Sequence, residues 1–226
     1  ERLSPDAPVP VLQATGTDRR PGGASNVAAC LRALEADVRV VAIVGDDAEG
    51  RMIRELLAAD GVDVSGILVD PGRPTTVKRS LVGLAQHRHP QKMFRIDVES
   101  REPVSADLAA RLLAAVDDAL PHVDIACLED YAKGVCTPEL CRAVIDRCRD
   151  RGLELLVDPA AIDEFSRYRG ATAITPNRTE AERATGMDTP IDAGDLHNAG
   201  LAARLGRELD LDAVVLTLDR HGALLE

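Results

Sequence analysis

The sequence contains very few aromatic residues and an excess of acidic ones. It has no tryptophan, two tyrosines and two phenylalanines, which together make up 2% of the 226 residues. Lysine and arginine number 27 against 38 aspartates and glutamates, so the formal net charge is −11 at pH 7. Nucleic-acid sites use stacking rings and concentrated positive charge, and anionic membranes repel an acidic surface. The composition therefore argues against both partners.

Long hydrophobic runs and a leader pattern are also missing. No apolar segment reaches the roughly 20 residues of a membrane-spanning helix, and the first residues lack the pattern of a signal peptide. The five cysteines form no C-x-x-C pair, which is typical of reduced thiols in the cytoplasm. We therefore expect a cytoplasmic protein. Because the sequence does not begin with methionine, we also expect it to come from inside a longer gene product.

The alternation of segment types predicts an α/β fold. The length fits one large domain or two small ones, at roughly 150 residues per domain. From residue 38 onward, short β-branched runs alternate with helical patterns, which predicts a mostly parallel central sheet flanked by helices. The predicted strands span 38–44, 123–128, 153–157, 171–175 and 213–218. The predicted helices span 24–34, 48–59, 106–119, 138–149, 178–185 and 196–208.

One region departs from this alternation and predicts a small β lid. Residues 75–84 and 92–98 resemble two strands joined by a polar turn without a helix, so they should pair as a hairpin outside the main sheet. The opening segment is extended because prolines restrict the residues before them. We interpret segments of about 5–13 and 70–98 as the lid of a single domain that spans residues 1–226.

Acidic or amide side chains follow each of the five predicted strands. They are Asp46, Asp47, Glu129, Asp130, Asp158, Asn177, Glu180 and Asp219. In an open α/β sheet, ligands bind at the carboxyl ends of the strands. We therefore interpret the row as the site of a polar ligand with a divalent cation. The alternative interpretation is that these residues cap the helices that follow them.

A second candidate feature is the pair Gly22-Gly23, which opens a predicted helix. Glycines there let a substrate approach the backbone, and the helix N-terminus favours oxygen-rich groups. The standard nucleotide motifs are absent: Gly45 and Gly50 have P-loop spacing, but Arg51 and Met52 stand where lysine and serine or threonine are required. A nucleotide would therefore bind by another scheme.

Six motifs, in order along the chain, carry a resemblance to a known family. They are R-P-G-G-A-S-N-V-A at 20–28, V-G-D-D-A-E-G at 44–50, T-T-V-K at 75–78, V-D-P at 157–159, T-P-N with its glutamate at 175–180, and L-T-L-D with its glycine at 216–222. The sequence resembles the ribokinase-like (PfkB-type) carbohydrate kinases over nearly its whole length. The resemblance implies a ribokinase-like α/β fold, ATP and Mg²⁺ as cofactors, and a homodimer formed through the lid.

Within that family, segments 2–11, 130–134 and 168–172 resemble the kinase domain of the heptose-phosphate kinases. Those enzymes serve ADP-heptose synthesis for bacterial lipopolysaccharide and are often fused to an adenylyltransferase domain. The resemblance implies transfer of phosphate from ATP to the anomeric O1 of D-glycero-D-manno-heptose 7-phosphate, giving the 1,7-bisphosphate. One alternative is another PfkB-type sugar or nucleoside kinase. Another is a catalytically incomplete fragment that binds sugar or mediates dimerisation.

The resemblance also assigns roles to individual residues. The residues implied to bind the substrate are Gly22, Gly23, Asn26, Asp130 and Lys133. The residues implied to bind the nucleotide are Asn177, Glu180, Thr217, Asp219 and Gly222, and Glu180 would organise the metal through water. Lys78 and Arg79 on the lid either meet the sugar phosphate or are solvated charges.

The sequence departs from the family pattern at several points. The glycine-rich D-T-x-G-A-G-D element, which supplies the catalytic Asp and the anion hole, does not occur in the 226 residues. We expect this element beyond Glu226 and the first strand before Glu1, so the domain is cut short at both ends and no catalytic residue is named. After Asp158 and Pro159, Ala160 stands where the heptose kinases often have lysine. In the nucleotide turn, Asp219 stands where glycine is usual, and Glu129 stands before Asp130 where serine is common.

Two groups of residues could suggest a metal site, but another interpretation is favoured for each. His87 and His89 lie in the polar turn without a third ligand nearby, which favours a solvated loop. Cys136, Cys141 and Cys148 fall on or beside one predicted helix, but their spacing does not converge on a tetrahedral ion. We therefore expect thiols of the core.

Overall fold

The computed structural model describes residues 2–3, 6, 10–11, 13–84 and 89–226. The α-helices are α1 (Ala24–Ala33), α2 (Ala48–Ala59), α3 (Ala106–Ala119), α4 (Pro138–Arg151), α5 (Arg178–Thr185) and α6 (Asp195–Leu209). The strands are β1 (Arg2–Leu3), β2 (Pro10–Val11), β3 (Arg39–Gly45), β4 (Asp63–Asp70), β5 (Val77–Gly83), β6 (Gln91–Val98), β7 (Ile125–Glu129), β8 (Glu154–Asp158), β9 (Ala173–Ile174), β10 (Ala213–Thr217) and β11 (Ala223–Leu225).

The main sheet has the order β11-β10-β9-β8-β7. Strands β7 to β10 run parallel, and β11 pairs antiparallel with β10. Val157, Ile174 and Leu216, one from each of β8, β9 and β10, are fully buried in the core. Ile145 of α4 and Leu201 of α6 belong to the same core. The predicted parallel sheet flanked by helices is confirmed. Its core holds the four parallel strands β7 to β10 in place, and with them their carboxyl ends.

Strands β3 and β4 form a separate parallel pair. Val44, Leu57 and Ile67 are buried in a second, smaller core between this pair and α2. The sequence prediction missed β4, because the glycine and serine within it and the aspartates at its ends dilute the β-branched pattern. The acidic and amide groups that follow the predicted strands lie at the ends of strands of two separate sheets among the described residues. Asp46 and Asp47 follow β3, which is not paired with the main sheet in the part of the chain that the structure describes.

A large cavity separates the β3–β4 pair from the main sheet. It has a volume of about 3460 Å³ and is lined by β3 and α1 on one side and by β7 and α3 on the other. Among the described residues, β3 pairs only with β4 and β7 pairs only with β8, so each presents an unpaired edge. Ile125 and Cys127 of β7 are accordingly exposed.

The helix boundaries follow from capping side chains. The helices α2, α3, α4 and α5 each begin after a residue whose side chain accepts a hydrogen bond from an amide of the first turn. These residues are Asp47, Ser105, Thr137 and Asn177. Helix α4 ends at Gly152, whose φ of 67° is the left-handed conformation that glycine adopts without strain.

The predicted lid hairpin is observed. Strands β5 and β6 pair antiparallel from Val77 opposite Val98 to Gly83 opposite Gln91, with an irregularity after Leu81. Strand β2 pairs with β1 and not with this hairpin in the described residues. Most of the remaining opening segment, and His87 of the polar turn, lie outside the described residues.

Candidate functional site

A row of carboxylates lies at the carboxyl ends of β7 and β8. Glu129 and Asp158 are opposite each other in the register of these parallel strands. The Tyr131 hydroxyl donates to Glu129 Oε2 at 3.5 Å, and the Thr175 hydroxyl donates to Asp158 Oδ1 at 3.1 Å. The sheet register therefore brings together two acidic groups that are distant in sequence.

The environment of this row disfavours negative charge. Burial, followed by repulsion from Asp158, raises the pKa of Glu129 to about 7. Burial also raises the pKa of Glu180, with Asp158 acting in the same direction and the Asn177 amide acting against it. The Tyr131 pKa is raised to about 12 by burial and by the neighbouring Glu129. Such a concentration of partly buried carboxylates matches the hard oxygen ligands that Mg²⁺ uses.

The nucleotide-side residues meet where α5 begins. Asn177 Oδ1 accepts from the Glu180 amide at 3.0 Å, and Glu180 Oε2 accepts from the Asn177 amide at 2.8 Å. This reciprocal capping box fixes both side chains. Thr217 lies beside them, since it forms a parallel bridge to Asn177 and its amide donates to the Pro176 carbonyl. The capping interpretation is thus confirmed for Asn177 and for Asp47.

The turn after β10 requires unusual backbone angles. Asp219, which stands where the family usually has glycine, adopts φ of 52°, a conformation that aspartate tolerates better than most residues. Gly222 has φ of 86° and ψ of −137°, a region open essentially to glycine alone. The Leu218 amide donates to the Gly222 carbonyl and closes the turn. Asp219 and Gly222 thus lie one turn beyond Thr217.

The predicted substrate-side glycines lie at the start of α1. Gly22, Gly23 and Asn26 are exposed, and the Ser25 hydroxyl bridges the amide and carbonyl of Gly22. Gly23 has φ of 55°, and a Cβ there would lie 3.3 Å from the Tyr131 ring. Tyr131 therefore lies beside the Gly23 turn and donates a hydrogen bond to Glu129, so it connects the substrate side with the acidic row.

Asp130 and Lys133 lie in the loop after β7, with different exposures. Asp130 is 3% exposed, and its carboxylate accepts from the Tyr168 hydroxyl at 2.7 Å and the Ala132 amide at 2.8 Å. Arg167 adds an ion pair at 3.5 Å. Lys133 Nζ forms an ion pair with Glu99, the residue after β6. Asp130 thus holds the loop through its buried hydrogen bonds, while the Lys133 side chain extends toward Glu99 at the end of the hairpin.

Among the described residues, one of the two lid cations, Lys78 and Arg79, forms an ion pair with the body of the protein. Arg79 of β5 pairs with Glu49 of α2 at 3.5 Å; the Arg79 side chain is exposed and the Glu49 side chain is partly buried. Lys78 and Arg79 also line the large cavity.

Two cysteines converge on Asp130. One sulfur each from Cys136 and Cys141 and a carboxylate oxygen of Asp130 lie within 4.8 Å of one another, which the sequence spacing did not reveal. Cys136 precedes the Thr137 cap and Cys141 is the fourth helical residue, the positions that commonly form an apolar contact at a helix start. The Cys141 contact and burial raise the Cys136 pKa well above its ordinary value, which favours the neutral thiol. Cys141 and Cys148 are buried, as expected of core thiols.

Sequence reasoning missed three residues of this site. Tyr131 joins the two halves, while Arg167 and Tyr168 hold Asp130. Tyr131 and Tyr168 lie within segments that resemble the heptose-phosphate kinases, but the contacts of Arg167 and Tyr168 with Asp130, 37 and 38 residues away, could not be found from a local pattern.

Comparisons with known proteins agree with this architecture. The model of the pfkB family carbohydrate kinases matches residues 1–225. The protein named "Bifunctional protein HldE" from Geobacter metallireducens is 40% identical over 225 residues, which are 100% of this chain and 44% of that protein. The protein of the same name from Helicobacter hepaticus is 38% identical over 98% of this chain and 45% of its own length. The chain thus spans less than half the length of these relatives.

Solved structures show the same fold. The tetrameric inhibited form of phosphofructokinase-2 from Escherichia coli superposes with a TM-score of 0.74 at 17% identity, over 97% of this chain and 69% of that one. Ribokinase of Arabidopsis thaliana complexed with ribose and ATP gives 0.64 at 22% identity, over 89% and 61%. Within the described residues, no helix combines the length and apolar character needed to cross a membrane.

Proposed function

Because the chain belongs to the pfkB family of carbohydrate kinases, we propose that it transfers the γ-phosphoryl group of ATP to a sugar phosphate. The proposed acceptor is the anomeric O1 of D-glycero-D-manno-heptose 7-phosphate, and the products are the 1,7-bisphosphate and ADP. The observation that carries the proposal is the position of Tyr131, which lies beside the Gly23 turn and donates a hydrogen bond to Glu129. The substrate side and the acidic row therefore form one continuous site.

On the substrate side, exposed backbone and a loop cation would hold the sugar phosphate. Gly22 and Gly23 offer a close approach to the start of α1, and Asn26 offers an amide for sugar hydroxyls. Lys133 would face the phosphorylated substrate from the opposite side. Asp130 would position Lys133 indirectly, because its hydrogen bond from the Ala132 amide fixes the backbone that carries Lys133.

On the nucleotide side, Thr217, Asp219 and Gly222 would line the ATP site, and Asn177 would fix Glu180 beside the phosphates. The residues present fit Mg²⁺, because burial and repulsion from Asp158 raise the pKa of both Glu129 and Glu180, and a divalent cation relieves that repulsion. Glu180 would organise the ion through water. When bound, Mg²⁺ neutralises developing charge on the transferred phosphoryl group.

The lid would join two copies of the chain. The hairpin exposes apolar side chains, among them Met93, Phe94 and Ile96, each at about half of its accessible surface. A two-stranded hairpin is marginally stable alone, so pairing with a second lid would cover this surface. We propose a homodimer on that basis.

We also propose that the kinase is joined to an adenylyltransferase domain in a cytoplasmic protein. Support comes from the relatives named bifunctional, which this chain covers for only 44% of their length.

The experiment uses the protein expressed from its whole gene. ADP release is measured with the heptose 7-phosphate, fructose 6-phosphate and unphosphorylated heptose, each with and without Mg²⁺. We expect the highest kcat/KM with the heptose 7-phosphate and no release without Mg²⁺. Higher kcat/KM with fructose 6-phosphate would overturn the substrate assignment, and no turnover with any sugar phosphate would overturn the kinase function.

A further inference from the structure

Two short segments connect the β5–β6 hairpin to the rest of the protein. We call residues 71–76 the entry segment and residues 99–104 the exit segment; they follow β4 and β6, respectively. The exit segment contacts the loop at residues 130–137, because the Val104 amide donates to the Gly134 carbonyl at 2.9 Å. This loop carries the proposed substrate-side residues Asp130 and Lys133. The base of the lid is therefore built against the substrate loop.

A single side chain connects all three segments. Arg73 of the entry segment donates from Nη1 to the Lys133 carbonyl at 3.2 Å and from Nη2 to the Glu102 carbonyl at 2.9 Å. Its Nε donates to Asp70 Oδ2 at 3.0 Å, and its side chain is only 10% exposed. A planar guanidinium with donors in a fixed fork sets the relative positions of its acceptors.

The entry segment has its own anchor to the body of the protein. Asp47 accepts from the Thr75 amide at 2.8 Å and from the Thr75 hydroxyl at 2.7 Å, and the Thr75 oxygen accepts from the Gly45 amide at 2.8 Å. Burial opposes the Asp47 charge, but the hydrogen bonds from Thr75 and Gly50 outweigh it and lower its pKa. Arg73 therefore extends from a segment already fixed to β3 and α2.

The exit segment and the substrate loop are in close backbone contact. Gly134 has φ of 75°, and a Cβ there would lie 2.0 Å from the Glu102 carbonyl oxygen. The ammonium group of Lys133 is paired with Glu99 of the exit segment. The position of the Lys133 side chain thus depends on where the exit segment lies, and Arg73 holds both backbones.

We propose that Arg73 is a positioning residue that places Lys133 for the sugar phosphate. This inference rests on the proposed function, because it assigns Lys133 to the substrate. Without the guanidinium, the carbonyls of Lys133 and Glu102 lose a charged donor, and the loop can move relative to the lid. The substrate side should be affected, whereas the nucleotide side should not, because its residues lie at the start of α5, at the end of β10 and in the turn after β10.

The kinetic test compares Arg73→Met and Arg73→Lys in the protein expressed from its whole gene. We expect Arg73→Met to raise the KM for the sugar phosphate about 10-fold, since small misplacements of binding groups have large effects. The KM for ATP should stay within about twofold, and Arg73→Lys should recover part of the loss because an ammonium group reaches fewer acceptors. The control is Arg204→Met, which removes a solvated pair with Glu208 on α6.

A second measurement needs no substrate. In hydrogen exchange, peptides covering 99–104 and 130–137 should exchange faster in Arg73→Met than in the wild type, while peptides of β8 and β10 should be unchanged. Equal changes in both KM values, an unchanged sugar-phosphate KM, or faster exchange throughout the main sheet would overturn the positioning role. If the wild type turns over no sugar phosphate, the proposed function fails, and the exchange data still decide whether Arg73 holds the loop.

Discussion

The main sheet and the lid hairpin differ in how their strands are held. Val157 of β8 and Ile174 of β9 have no solvent exposure, whereas every residue of β6 is exposed. The sheet contacts helices on its faces, while β5 pairs with β6 and meets the body of the protein mainly at its base. The residues that fix that base are Asp47, Arg73 and Thr75.

This difference shows that one chain stabilises its parts by two kinds of force. Burial of a large apolar side chain contributes roughly 1.5–3 kcal/mol, so the sheet is stable through its core. The hairpin lacks that contribution and depends on a few directed polar bonds. Stability of the domain and position of the lid should therefore respond to different substitutions.

The largest expected effect is in the core of the main sheet. Leu216→Ala removes a fully buried side chain and should lower the free energy of unfolding by about 3 kcal/mol. Met93→Ala on the exposed lid should change it by less than about 0.5 kcal/mol. Urea denaturation followed by circular dichroism measures both. Comparable losses would mean that the lid is part of the same cooperative core.

A second expected effect is at the contact between the lid base and the substrate loop. Gly134→Ala should lower the free energy of unfolding by about 2 kcal/mol or more, because φ is positive and the new Cβ would overlap the Glu102 carbonyl. The control is Gly152→Ala, where φ is similarly positive but no atom lies within 4 Å. It should cost about 1 kcal/mol. If both substitutions lower the free energy of unfolding equally in urea denaturation, the lid base must shift to make room for the new Cβ at residue 134.

A third expected effect concerns the acidic row of the main sheet. The folded-state pKa of Glu129 is raised from 4.5 to about 7, so its contribution is full below the unfolded pKa and is lost as the pH rises through 7. Glu129→Gln should therefore stabilise the protein at pH 8 by about 1–2 kcal/mol, a value reduced for partial solvent screening.

At pH 4.5 and below, Glu129→Gln should have little effect, because the wild-type carboxyl group is then protonated. Thermal unfolding of both proteins between pH 4 and pH 8.5 measures the difference. A stabilisation that does not depend on pH would contradict the raised pKa.

The smallest expected change in stability is on the lid surface, where assembly should respond instead. Phe94→Ser removes an exposed ring and should weaken dimerisation by about 10-fold, as expected for an aromatic group at an interface. Leu196→Ser, at an exposed position of α6, is the matched control and should leave dimerisation unchanged. Sedimentation velocity at several concentrations measures both. A wild-type monomer would contradict the proposed lid interface.

Local patterns predicted most of the fold, because the elements carry local signals. The bounds of α2, α3 and α5 match the prediction, since the caps Asp47, Ser105 and Asn177 mark their starts. Strand β11 was not predicted, as three residues are too short for a periodic pattern. Strand β9 is confined to Ala173–Ile174, whereas 171–175 was predicted, because only these two residues pair with both neighbouring strands.

The site was only partly predictable, because its key contacts are long-range. Residues that end or closely follow strands, such as Asp158 and Asn177, could be located from the strand pattern alone. The burial of Asp130 could not, since it depends on Tyr168, 38 residues away. The same holds for Tyr131 against Gly23, and for Arg73 against Lys133. The roles assigned to individual residues on the substrate and nucleotide sides stay predictions.

The central claim is that this sheet edge transfers phosphate from ATP to the anomeric oxygen of a sugar phosphate. The most direct test is phosphorus NMR of the protein expressed from its whole gene, incubated with ATP, Mg²⁺ and the heptose 7-phosphate. We expect a new resonance from an anomeric sugar phosphate, formed in the same amount as ADP. Release of ADP with inorganic phosphate and no new sugar-bound resonance would contradict it.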